Sequence, residues 1–293
     1  EHKDNADYVI KSVGDQRKMR KSNVDTISTD KLSLDKLYDF VKTQKELLTM
    51  SDNTKFLNIP TMIDVSSKIL VWQNNEFHNV KGLFFMGLEG LSGDVKADQA
   101  NGKVTWYRDT ETVDLDFSKL ELKQILSSDN FLSSNLAGND FGTPITLNFK
   151  VDEFTNKFGK LGQIKFTIRS EPELKTWFVK DLSVFSDDFQ LFASGFWKIV
   201  EDPQSYPLLY SERAEVDETL KLTEMNLRLE TNNIQTLMDK VGYSGLFGQA
   251  EGILSGQLAW LGNPLNFNLE DVYGDVYVDV LDGKFIRAEP GLG

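Results

Sequence analysis

The chain contains no cysteine, which excludes disulfides and thiolate chemistry and fits a reducing or an oxidising compartment equally well. It has only two histidines: His2 sits in the terminus and His78 in a predicted hairpin. A Ser-His-Asp triad would have to use His78, and no Gly-X-Ser-X-Gly elbow accompanies it. Ser92 lies in Gly90-Leu-Ser-Gly93, whose spacing is that of a turn. Neither the phosphate loop Gly-X-X-X-X-Gly-Lys-Ser/Thr nor the dinucleotide fingerprint Gly-X-Gly-X-X-Gly occurs, so nucleotide chemistry lacks its usual signs. No run approaches the roughly 18 apolar residues of a membrane helix. Positive charge is also scarce, with 32 Lys and Arg against 45 Asp and Glu, a formal net charge of -13. That balance repels nucleic-acid phosphates and excludes nucleic acid as a partner. The one local exception, Arg17, Lys18, Arg20 and Lys21, reads as a solvated edge or strand end. There is no starting methionine, signal peptide or targeting segment, and the chain stops just after a strand-like run, so it reads as an excised fragment.

Carboxylates are abundant, but their placement is structural. Asp114 with Asp116 and Asp187 with Asp188 could in principle serve a glycosidase, yet the first pair occupies the polar face of an alternating strand. Asp271, Asp275, Asp279 and Asp282 do not have the spacing of a calcium loop and read as charges that guard strand edges and turns. No metal is expected.

What the chain does have is length for a sizeable core, 293 residues, with 40% hydrophobic and 26% charged residues. Period-two alternation dominates, the mark of strands that bury one face. In Ile145-Thr-Leu-Asn-Phe-Lys-Val151 the residues Ile145, Leu147, Phe149 and Val151 share one side. Val113 to Phe117, Ile164-Lys-Phe166-Thr-Ile168, Leu265-Asn-Phe267-Asn-Leu269 and Val276-Tyr-Val278-Asp-Val280 repeat the pattern. Strands with one wet face exclude a parallel sheet covered by helices on both sides and leave an antiparallel meander. Two stretches have helical spacing instead. Leu32 to Leu48 carries a stripe of Leu34, Leu37, Tyr38 and Val41 with Asp30 or Ser33 as N-cap; Asn233 to Val241 carries Ile234, Leu237 and Met238, with Asn232 or Asn233 as cap and Gly242 as stop.

Asn101-Gly102, Gly262-Asn263-Pro264 and Asp282-Gly283 read as hairpin turns. An internal echo links Pro60 through Asn75-Glu-Phe77 to Val104-Thr-Trp106 with Pro144 through Lys157-Phe158-Gly159 to Ala193-Ser-Gly-Phe-Trp197, and Leu254-Ser-Gly-Gln-Leu258-Ala-Trp260 ends on tryptophan again. Repeats of this kind suit a sheet that grows by addition. The tryptophans at 72, 106, 177, 197 and 260 read as core residues, or as boundary residues with the ring in an apolar lining and the indole N–H in water.

Near the end of the chain, Gly252-Ile-Leu-Ser-Gly-Gln-Leu-Ala-Trp-Leu-Gly-Asn-Pro264, then Leu269-Glu-Asp-Val-Tyr-Gly274 and Asp282-Gly-Lys-Phe-Ile-Arg-Ala-Glu-Pro-Gly291, resemble the C-terminal region of the YhdP branch of AsmA-like proteins. Leu161-Gly162, Trp177, Ser194-Gly195-Phe-Trp197 and Met238 to Tyr243 resemble the same family, so the likeness covers most of residues 30–293. The lysine-rich first 30 residues and the loop Glu201 to Glu218 depart from it. The resemblance implies a mainly β fold: an elongated, curved antiparallel sheet forming a groove or half-pipe, with a few short surface helices. Residues 1–30 would be an N-terminal edge segment of a larger parent and residues 31–293 one β domain. It further implies a periplasmic location, with the parent anchored in the inner membrane, a role in phospholipid transport to the outer membrane and its permeability barrier, and no catalytic residues or cofactor.

On that basis the alternating apolar residues become a lipid-binding lining: Ile145, Leu147, Phe149, Val151, Ile164, Phe166, Ile168, Leu254, Leu258, Leu265, Phe267, Leu269, Val276, Val278 and Val280. The partners expected are phospholipid acyl chains, the remainder of the parent chain and envelope proteins. Periodicity alone does not separate a lined groove from the filled core of a β-sandwich. The rival readings are a periplasmic scaffold or assembly factor for outer-membrane proteins, and an enzyme acting on envelope glycans or lipids.

Overall fold

The computed structural model describes residues 9–12, 24–34, 62–72, 75–87, 89–123, 144–156, 159–200, 221–240, 250–262, 264 and 272–281. The chain forms two compact units, Glu1–Gln124 and Ile125–Gly293. Both are built almost wholly from strands hydrogen-bonded to their neighbours in sequence, as alternation along the chain demands.

The first unit contains β1 (Val9–Ser12), β2 (Val24–Ser33), β3 (Met62–Trp72), β4 (Asn75–Met86), β5 (Gly90–Lys96), β6 (Ala100–Tyr107) and β7 (Thr112–Leu122). All its described pairings are antiparallel except β2 with β3, which is parallel. This departs from the all-antiparallel expectation. It also relocates the start of the expected first helix: Asp30, Leu32 and Ser33 belong to β2, where Leu32 lies opposite Leu70 and is buried. Pairing with β3 holds this β-branched and hydroxyl-rich segment extended through Ser33, and a parallel partner requires a crossover afterwards. Residues 35–48 of the expected helix lie outside the described residues.

The expected turn at Asn101-Gly102 is likewise displaced, since both residues lie inside β6. The hairpin turns instead at Asp98-Gln99, where the Ala97 N–H donates to the Ala100 carbonyl at 2.7 Å. Gly102 serves packing: a Cβ there would stand 2.4 Å from Cδ1 of Phe117. In β4, Asn79 has φ 56, and the burial alternation slips at that point, so that Phe77 and Val80 are both buried.

The second unit contains β8 (Thr146–Asn156), β9 (Gly159–Glu171), β10 (Thr176–Phe185), β11 (Phe189–Ile199), β12 (Lys221–Thr231), β13 (Glu251–Leu261) and β14 (Tyr273–Leu281). Each consecutive pair is antiparallel, giving one meander in chain order. No pairing joins β8 to β14 among the described residues, so this sheet is open and not a barrel. The strands expected from alternation at 145–151, 164–168 and 276–280 all lie in it. The one expected at 265–269 and the Asp282-Gly283 turn fall outside the described residues.

The second helix is where its spacing places it. α1 (Ile234–Lys240) follows β12, and the Asn233 side-chain Oδ1 accepts the Thr236 N–H at 3.1 Å, the bond that defines an N-cap. Its Ile234 and Leu237 are buried. Ile234 reaches the sheet at Gly252, whose missing side chain leaves room for the isoleucine tip.

Candidate functional site

Residues directly opposed across an antiparallel ladder point to the same face, so the registers of the second unit sort its side chains without ambiguity. One rung runs through all seven strands: Val151, Ile164, Val184, Leu191, Leu229, Leu254 and Val278. Every member is aliphatic. A second rung on the same face runs Leu147, Ile168, Val179, Gly195, Met225, Leu258 and Gly274. Between them lie Phe149 and Phe166, stacked with centroids 4.7 Å apart, and Leu182, Ala193, Leu227, Gly256 and Val276.

The structure therefore brings together the sequence-derived candidates of β8, β9, β13 and β14. Leu147, Phe149, Val151, Ile164, Phe166, Ile168, Leu254, Leu258, Val276, Val278 and Val280 share one face of one sheet. Ile145, just before β8, continues it, exchanging hydrogen bonds with Ser170: its N–H donates to Ser170 Oγ and its carbonyl accepts the Ser170 N–H. Leu265, Phe267 and Leu269 lie outside the described residues.

Sequence reading missed β10 to β12, which supply the middle of the face. In β10 a bulge between Val179 and Leu182 inserts one residue and resets the alternation, with Asp181 at φ 53. In β11 phenylalanines occupy both faces: Phe192 and Phe196 stand opposite Arg228 and Glu224, on the polar side. For β12 the signal was present, since Met225-Asn-Leu227-Arg-Leu229 alternates strictly.

The face is not buried evenly across the sheet. At one end of the strands a row of Ser170, Trp177, Trp197, Thr223 and Trp260 crosses four ladders, and Trp177 stacks on Trp197 at 5.5 Å with planes 6° apart. These three rings are buried, with Ile168, Val179 and Met225 in the same cluster. Core packing, not a boundary position, describes them. Along β14 the face opens: Val276 is 43% exposed and Val278 55%.

The opposite side is mixed, with Phe178, Phe196 and the fully buried Leu222 among its charges. It carries Lys165 and Arg169 of β9, Glu224, Arg228 and Glu230 of β12 and Asp275 and Asp279 of β14. A depression beside the β10 bulge, lined by Lys165, Asp181, Phe185, Phe192 and Arg228, mixes both charges with aromatics and offers no continuous apolar surface.

Of the residues weighed for catalysis, His78, Ser92, Asp114 and Asp116 lie in strands of the first unit, and Asp187 and Asp188 in the turn between β10 and β11 of the second. The His78 backbone N–H donates to Gln99 Oε1 at 2.7 Å, and Ser92 Oγ lies 3.5 Å from Thr105 Oγ1 across the ladder. Asp114 and Asp116 alternate with Val113, Leu115 and Phe117 along β7 and face the other way. Among the described residues no three His, Cys, Asp or Glu side chains come together in a way that could hold a metal ion. No helix among them is long and apolar enough to cross a membrane.

A family model described as YhdP protein matches residues 4–293, nearly the whole chain. Searches of curated proteins and of solved structures return no match.

Proposed function

Because the chain belongs to the YhdP family, we propose that the apolar face of β8 to β14 carries phospholipid acyl chains through the bacterial periplasm. The activity is non-enzymatic transport between inner and outer membrane, in support of the outer-membrane permeability barrier. The carrying observation is the unbroken aliphatic rung from Val151 to Val278, one residue from each strand of an open sheet. A methylene taken out of water onto such a surface gains about 0.8 kcal/mol, so even partial cover of two acyl chains retains a lipid. A lining of near-uniform chemistry offers no single deep minimum, and the chains slide along it. The charged side chains of these strands project from the opposite side and leave the apolar face uncharged.

The test begins with extraction and mass analysis of lipids from the purified protein, which should yield diacyl phospholipid. It continues in cells that carry the full-length parent. Leu227→Asp with Leu229→Asp places two carboxylates in the path, each costing several kcal/mol to bury unpaired, and should abolish barrier function. Asn226→Asp with Arg228→Asp adds acid to the opposite side of the same strand, breaking only the exposed Arg228–Glu230 ion pair, and should leave the barrier intact. Protein levels are measured for each. Equal effects from the two pairs at normal abundance, or a purified protein free of lipid, would overturn the reading; lipid-free protein is what a scaffold for outer-membrane protein assembly predicts.

A further inference from the structure

The first unit carries an apolar face of its own. Ile63, Phe84, Gly93, Val104 and Leu115 stand in register across β3 to β7 and share one side. Two phenylalanines fold down over glycines there: a Cβ at Gly93 would stand 2.4 Å from Phe84 Cδ1, and one at Gly102 2.4 Å from Phe117 Cδ1. Rings that rest on glycines make a low floor and do not reach out toward a second layer. At one end of the strands Phe77, Val80, Ala100 and Leu120 are buried. At the other end the last rung, Met86, Leu91, Trp106 and Val113, is only partly buried, and charged turns follow it. There the Arg108 N–H donates to the Glu89 carbonyl at 2.8 Å and ties the β6–β7 turn to the β4–β5 turn. The Arg108 guanidinium carbon stands 5.6 Å from the centre of the Trp106 ring, and the indole N–H donates to Glu111 Oε2 at 3.3 Å. Arg108 enters none of the ion pairs among the described residues.

We propose that this end of the first unit binds the headgroup of a zwitterionic glycerophospholipid, its phosphate on Arg108, its ammonium toward Glu111 and its acyl chains on the floor from Trp106 to Leu115. The proposal rests on the lipid reading above and adds to it a second surface and a headgroup preference. A guanidinium held at the rim of an apolar surface matches a molecule that is apolar over most of its length and anionic at one end. The strand ends are open to water, so the headgroup keeps most of its hydration while the chains leave theirs. Trp106 spans that boundary, with its ring on the apolar side and its N–H among the charges. The remaining charged residues of the two turns, Glu89, Asp109 and Glu111, are all acidic. They repel a headgroup of net negative charge and attract an ammonium, and exposed charges act over only a Debye length, so the preference is local to these turns.

The experiment uses the full 293-residue chain with a photoreactive reporter, p-benzoylphenylalanine, in place of Leu115 in the first unit or of Val278 in the second. Dioleoyl phosphatidylethanolamine and dioleoyl phosphatidylglycerol are offered at equal concentration in neutral detergent, and captured lipid is measured by mass after irradiation. The reporter at Leu115 should capture the ethanolamine lipid roughly two- to fivefold more than the glycerol lipid, the size of a solvent-exposed ion pair. Arg108→Gln should lower capture of the ethanolamine lipid there by a similar factor, and Glu111→Gln should erase the preference. Lys103→Gln, which lies opposite Asp94 and Asp116 on the other side of the sheet, should change neither. Melting temperatures report the fold of each variant. Capture at Val278 but not at Leu115 removes the proposed site and leaves the lipid reading standing. Equal capture of the two lipids at Leu115, which needs no further variant, overturns the headgroup assignment, as does a preference that survives Arg108→Gln. If neither reporter captures lipid, the lipid reading itself has failed.

Discussion

A glycine in a sheet has meaning when something stands where its side chain would be. At Gly256 a Cβ would meet the Asp275 carbonyl oxygen at 2.2 Å and Val276 Cα at 3.1 Å, both backbone atoms of the neighbouring strand. Neither can rotate away, so β13 and β14 would have to separate. Gly256→Ala should therefore lower stability by about 1 to 3 kcal/mol, an overpacking cost, in urea titration of the intact chain. Ser255→Ala, one position along and on the polar side, should change it by less than about 0.5 kcal/mol. The glycine was visible in the sequence within the run Leu254-Ser-Gly-Gln-Leu-Ala-Trp260 that ends on tryptophan. Its reason was not, because close approach is set by the partner strand's backbone, which no local pattern encodes.

Strands are where alternation was most and least informative. The stretches 146–151 of β8, 164–168 of β9 and 274–280 of β14 alternate strictly and their faces could be assigned from residue order alone, whereas β8 shifts register between Val151 and Phe154. β10 could not, since the bulge at Lys180 to Leu182 moves Val179 and Leu182 onto one face although they are three positions apart. The parallel β2–β3 pair was equally hidden, because strand direction depends on the path of the connection and not on the strands themselves. β14 raises a question of a different kind. Its described pairing is with β13 alone, and Tyr277 is 72% exposed. An antiparallel pair of two such strands centred on Tyr277 would set Asp275 of one copy opposite Asp279 of the other, and like charges directly opposed destabilise a ladder. Replacing both with valine should remove that guard. Light scattering during size exclusion should then find concentration-dependent association in the double variant and a monomer in the original; a monomer in both would show that the acids do not protect the edge.

At the scale of the molecule, the family, the β class and the open sheet of sequential strands could be read from the chain. The middle of the apolar face could not, because its strands mix phenylalanine onto both sides or carry a bulge. The division into two units at Gln124 and Ile125 had no compositional mark. Among the described residues of the second unit, each strand is bonded only to its neighbours in sequence. Stability in such an array is a sum of nearest-neighbour terms, and it fails from its ends. Native-state hydrogen exchange should find the β14 amides opening well before those of β10 and β11; simultaneous opening would mean one indivisible cooperative block. The same wiring governs how the sheet is made. No strand of the meander waits for a distant stretch of chain, so the entropy of closing each loop stays small. A polypeptide threaded across a membrane with its amino end leading would find, for every newly delivered strand of the meander after the first, the docking edge already in place.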